Sequence, residues 1–84
     1  MPFHQMMMEK NDYWKIPILD YWPDNVVTII NRWGVVVWRT DDYNNSTNRF
    51  IGLNMSGDKL GDGTYYYIVE YDRTEQRGWV FIER

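Results

Sequence analysis

The run Thr64-Tyr65-Tyr66-Tyr67-Ile68-Val69-Glu70-Tyr71 constrains this chain more than any other stretch. Every residue in it except Glu70 is β-branched or aromatic, the types that fit a pleated, half-buried surface. Asn25 to Arg32 (NVVTIINR), Val35 to Arg39 (VVVWR) and Gly78 to Glu83 (GWVFIE) share that character. No segment sustains apolar residues at i, i+3, i+4 and i+7, so little or no helix is expected and the chain reads as all-β.

The strands fall into two hairpins. Asn25–Arg32 places Val27, Ile29 and Asn31 on one face and Val26, Thr28, Ile30 and Arg32 on the other. A break at Trp33-Gly34 turns it back into Val35–Arg39. Thr64–Tyr71 pairs with Gly78–Glu83, and the polar stretch Asp72–Arg77 reads as their connecting loop. Tyr13–Ile16, confined to an edge by Pro17, and Phe50–Leu53 read as further short strands. Asp41–Asn48 and Asn54–Gly63 are loops, rich in Asp, Asn and Ser that bond their own backbone. Gly34 and Gly63 are read as structural turn glycines. Short strands at these intervals predict a small immunoglobulin-like antiparallel β-sandwich of six to seven strands. Leu60 to Ile68 has the form of a tyrosine corner, a loop-to-strand entry where a Tyr hydroxyl bonds upstream backbone. Spacing assigns that Tyr to Tyr66 and sends Ile68 into the core. Tyr65, Tyr67, Val69 and Tyr71 then line the opposite face.

At 84 residues one domain is expected. It is placed at residues 11–84, with 1–10 as a flexible lead-in or a remnant of expression. Five Trp, seven Tyr and three Phe supply much buried area for so small a core. The net charge of −3 and the scattered Lys and Arg argue against nucleic acid. With no Cys, disulfides and thiolate metal sites are excluded. The one His, His4, sits in the lead-in without a nucleophile or ligand partner. The acidic pairs Asp41-Asp42 and Asp58/Asp62 lack EF-hand spacing and read as turn chemistry. The Asn-Xaa-Ser/Thr matches at Asn44, Asn45 and Asn54 read as polar loop residues. Gly57, Gly61 and Gly63 do not follow phosphate-loop spacing. No catalytic residue, metal site or cofactor is predicted, and the chain is read as non-enzymatic. The opening MPFHQMMMEK does not read as a signal peptide, and no stretch of the sequence is long enough to be expected to span a bilayer. The surplus of aromatics predicts that some of Trp33, Trp38, Tyr65, Tyr67, Tyr71 and Trp79 are exposed, as at interaction sites.

Four segments carry a family likeness. Asn25-Val26-Val27-Thr28-Ile29-Ile30-Asn31-Arg32-Trp33-Gly34 resembles the NNTVTIFNRWG of the gliding-motility-associated C-terminal domain, the type B sorting domain of the type IX secretion system. Leu60 to Tyr67 is similar to its LPDGTYYY, with Gly61 for the proline, and Gly78 to Arg84 to its closing GWVYINR. Asn11-Asp12, Trp14-Lys15-Ile16 and Tyr21–Pro23 fit its opening. Phe50-Ile51-Gly52 stands where the family has Trp-Asp/Asn-Gly. The resemblance implies a folded sorting signal for a cargo protein, read by the outer-membrane translocation machinery through a PorP/SprF-type partner. It implies export through the periplasm and outer membrane to the cell surface or medium. The residues expected to meet that partner are Arg32, Trp33, Tyr65, Tyr67 and Tyr71. The alternative is an adhesive or carbohydrate-binding β-sandwich whose exposed Trp38 and Tyr67 stack on sugar rings.

Overall fold

A computed structural model describes Met7–Met8 and residues 16–82. The fold is all-β, with one 3₁₀ turn at Pro17–Asp20 as the only helical element among the described residues. Its strands are β1 (Met7–Met8), β2 (Asn25–Ile30), β3 (Val36–Thr40), β4 (Gly63–Tyr71) and β5 (Thr74–Ile82). They form one sheet in the order β1-β5-β4-β2-β3. β2 to β5 are antiparallel throughout, and β1 adds a two-residue parallel pairing, Met7 with Phe81 and Met8 with Ile82. β1 lies within the stretch read as lead-in; the Tyr13–Lys15 part of the expected edge strand lies outside the described residues.

The two hairpins occur as expected, Val27 and Ile29 share a face as their parity requires, and the structure makes that face the buried one. The second hairpin is tighter than the sequence suggested. Its loop is only Asp72-Arg73, both at positive φ (45° and 58°), so Thr74–Arg77 is strand rather than loop. Both central residues at positive φ match the twist of the flanking strands, the geometry of a type I′ turn. Phe50–Leu53 forms no strand; only Leu53 is bridged, to Lys59.

The inner face of the sheet carries Val27, Ile29, Tyr67, Val69, Val80 and Ile82, all buried. Irregular chain covers it: Ile16, Leu19 of the 3₁₀ turn, Tyr43, Phe50 and Leu60 complete the core. Trp38 packs between the two layers, edge-on to Tyr43 at 5.9 Å and tilted on Phe50 at 5.4 Å. Phe50 and Gly52 keep the aromatic-x-Gly form of the family's Trp-Asp/Asn-Gly. Phe50 fills the core, and Gly52, at φ 81°, accepts a bond from Leu60 N–H.

The parity of β4 is the reverse of the sequence reading. Tyr67 and Val69 face inward and are fully buried, whereas Tyr66 is 46% exposed on the outer face and Ile68 is half-buried there. A one-residue difference in register exchanges every side chain between faces. The tyrosine-corner bond is present, but Tyr65 makes it: its hydroxyl donates to Gly61 O at 2.9 Å.

Tyr67 lies across β5 at Gly78, its register partner. A Cβ at Gly78 would fall within the Tyr67 ring, so this strand glycine is required by close approach. Burial raises the Tyr67 phenol above its ordinary value of 10.0. A phenol whose folded pKa is raised stabilises the fold while neutral. That contribution is complete below about pH 10 and is lost as pH rises through the folded value. Thermal melts between neutral and strongly alkaline pH should therefore show a falling limb that Tyr67→Phe flattens.

Candidate functional site

The clearest convergence of sequence motifs is at one end of the sheet. β2 runs antiparallel to β4 with Ile30 opposite Tyr66. The turn after β2 therefore emerges beside the residues that open β4. The two segments enclose a cleft of about 330 Å³, with Asn31, Arg32 and Trp33 on one wall and Gly61 to Tyr65 on the other. Ile82 of β5 pairs with Gly63 at the same end.

Asn31 builds the tip. Its Oδ1 accepts from Trp33 N–H at 3.0 Å and Val35 N–H at 2.9 Å. Its main chain closes the loop, donating to Val35 O at 2.9 Å and accepting from Gly34 N–H at 3.0 Å. Gly34 sits at φ 84°, where a side chain would be strained, so the turn needs glycine there. Arg32 and Trp33 are thus left at the apex. Trp33 is 73% exposed, and the Arg32 guanidinium carbon lies 4.4 Å from the centre of its ring. That contact is worth about 0.5–1 kcal/mol at an exposed site and fixes the ring's orientation rather than the fold.

The same turn recurs. Asn54 Oδ1 accepts from Ser56 and Asp58 N–H at 2.9 and 3.0 Å, Asn54 N–H donates to Asp58 O, and Gly57 N–H donates to Asn54 O. Asn-x-x-Gly at 31–34 and 54–57 is the shared signal, and the sequence reading missed it. A third Asn, Asn44, caps its loop by accepting from Ser46, Thr47 and Asn48 N–H. These contacts assign the Asn-rich loops to backbone organisation.

The predicted contact residues divide. Arg32 and Trp33 are exposed together at the tip. Tyr65 is half-buried and lines the cleft. Tyr71 is half-buried at the far end of β4, with Trp22 6.2 Å away. Tyr67 is 1% exposed and belongs to the core, which corrects its assignment as a contact residue. Tyr66, read as structural, is instead an exposed outer-face ring opposite Trp79, and both are more than 40% exposed. Gly63 opens β4 at φ 139° on the cleft wall. Trp38 and Tyr67, the rings on which the sugar-stacking alternative depended, are committed to packing, so that alternative loses its platform. Among the described residues, no cluster of three or more His, Asp or Glu side chains is placed to hold a metal ion. No described helix is long and apolar enough to cross a membrane.

The domain thus presents an ordered Arg–Trp tip beside a shallow cleft. The chain matches the CHU_C type IX secretion signal domain over residues 7–82, and it belongs to that family. Its function is therefore that of a sorting signal recognised by the type IX secretion machinery, directing export to the cell surface or medium. A domain of this kind is a signal and not a catalytic unit. Comparison with curated proteins and with solved structures finds no match.

Proposed function

We propose that this domain is read, without catalysis, at the end of the sheet where the Asn31–Gly34 tip meets the Gly61–Tyr65 strand entry. The partner in this reading is a PorP/SprF-type outer-membrane protein, and the cargo passes through the periplasm and outer membrane. The supporting observation is the convergence of two separated motifs on one cleft, with Trp33 exposed at its rim. Exposed Trp and Arg side chains are the residue types that dominate interface energetics. Trp33 and Arg32 are the primary contacts, with Tyr65 behind them. The sorting domain spans residues 11–84, and Met7–Met8 of the lead-in add the edge strand β1. The architecture is proposed as a reduced immunoglobulin-like sandwich. In it the irregular layer of residues 43–60, with the Leu53–Lys59 bridge, takes the place of a second sheet.

The test uses alanine substitutions in a reporter fusion carrying the whole chain and a normal export signal, expressed in a host with this secretion system. Trp33→Ala should reduce the released reporter by about tenfold or more, as for an interface anchor. Its melting temperature should stay within about 4 °C, because a surface substitution costs about 0.5 kcal/mol or less. Tyr21, 79% exposed near the opposite end of β2, is the control, and Tyr21→Ala should leave release unchanged. Equal release from Trp33→Ala and the wild type would remove the tip from the recognised surface.

A further inference from the structure

The cleft wall opposite the tip contains a glycine that the fold does not require. Gly34, Gly52, Gly57 and Gly63 hold positive φ, and Gly78 lies against the Tyr67 ring. Gly61 has neither constraint. Its φ is negative, on the side of the range that every residue type uses. A Cβ at this position would meet no atom within 4 Å beyond its own chain neighbours. An ordered glycine in such a conformation lowers stability relative to alanine, because the unfolded chain has more freedom to lose.

Gly61 is nevertheless held firmly. Leu60 before it is buried, and its N–H donates to Gly52 O at 2.9 Å. The Gly61 carbonyl accepts from the Tyr65 hydroxyl at 2.9 Å. Two residues on, Gly63 begins β4 and pairs with Ile82. The exposed backbone at Gly61 is therefore a fixed part of the cleft lining. A large side chain there would be tolerated by the domain but would take up space that a partner otherwise enters. The same lining supplies the Trp33 and Tyr65 rings, and opposite charges from its two walls, Arg32 and Asp62. Two rings beside bare backbone suit one large apolar side chain, and the flanking charges suit the polar groups around it.

We propose that Gly61 is a specificity-determining residue of the sorting signal. It leaves room for a large apolar side chain of the outer-membrane partner to enter between the tip and the start of β4. This inference rests on the reading of that cleft as the recognised site and adds the residue that sets its size.

The test separates stability from recognition. Gly61→Ala should melt at the wild-type temperature or up to about 8 °C above it. Gly61→Leu should melt within about 4 °C of the wild type, because its side chain stands clear of the protein. In the reporter fusion, Gly61→Leu should nevertheless reduce release by about tenfold, as Trp33→Ala does. Ser56→Leu adds the same side chain to an exposed turn residue that does not line the cleft, and it should leave release unchanged. If Gly61→Leu melts far below the wild type, Gly61→Gln replaces it with the same expectation. A fall of more than about 8 °C from Gly61→Ala would mean that the fold itself needs the glycine, which overturns the proposal. An equal loss of release from Ser56→Leu also overturns it. Wild-type release from a natively melting Gly61→Leu, with release lost from Trp33→Ala, overturns this proposal alone. Wild-type release from both overturns the reading of the cleft, and this proposal with it.

Discussion

Asn25→Ala should destabilise the domain by about 3 kcal/mol, lowering the melting temperature by about 12–24 °C. Asn25 opens β2 and is 2% exposed. Its Nδ2 donates to Trp22 O at 2.7 Å and Tyr43 O at 3.1 Å, and its Oδ1 accepts from Tyr43 N–H at 2.9 Å. One side chain thus pairs with both main-chain groups of Tyr43, as a neighbouring strand would. Tyr43 in turn supports Phe50, whose N–H donates to the Tyr43 hydroxyl at 3.1 Å. Alanine leaves buried donors and acceptors without partners, and each costs about 1–3 kcal/mol. Asn25→Asp keeps the acceptor but sets a carboxylate against two carbonyl oxygens, so it should be at least as damaging at neutral pH. It should recover partly in acid, where the protonated carboxyl can donate again. Thermal denaturation of the two variants measures this. A loss from Asn25→Ala below about 1 kcal/mol would mean that water replaces the amide, and the buried-clamp account would be wrong.

The second large effect is a coupling. Gly78→Ala should cost about 2–3 kcal/mol, because the new methyl meets the Tyr67 ring in a closed core. In a Tyr67→Leu background the same substitution should cost nothing or stabilise by about 0.5–1 kcal/mol, since glycine is a weak strand residue. The coupling between the two sites is then about 2–4 kcal/mol, well above the additivity expected of independent positions. Urea denaturation of the four proteins closes the cycle. Additive behaviour within about 0.5 kcal/mol would show that the ring moves aside at little cost.

The Tyr67–Gly78 pair also marks where the sequence was hard to read. The stretch from Tyr65 to Tyr71 is apolar at nearly every position, so alternation gives almost no parity signal. Only Glu70 distinguishes the faces: it shares parity with Tyr66 and Ile68, which places those two outside. Gly78 is the second clue, since a strand glycine opposite a large ring implies close approach. The Asp72-Arg73 turn was missed for a related reason. Two-residue turns with both residues at positive φ favour Asn-Gly or Asp-Gly, and an Asp-Arg pair within a polar stretch looks like an ordinary loop. By contrast, the β2–β3 hairpin and the shared face of Val27 and Ile29 were legible, but with Val26 and Ile30 apolar on the other face the sequence left open which face is buried. The Arg32–Trp33 tip was legible as a motif, but its companion wall needed the β2–β4 register to bring Gly61–Tyr65 alongside. The covering layer was illegible because its core residues, Leu19, Tyr43, Phe50 and Leu60, come from irregular segments without a period.

The tip and the cleft matter only if the folded chain is sufficient as an export address. The most direct measurement is the amount of reporter released by cells when the whole chain is fused behind it, in a host with the type IX system and in the same host lacking its translocation machinery. Release is expected in the first strain and periplasmic retention in the second, with Trp33→Ala in the first strain resembling the second. Release that is equal in both strains, or retention in both, would contradict it.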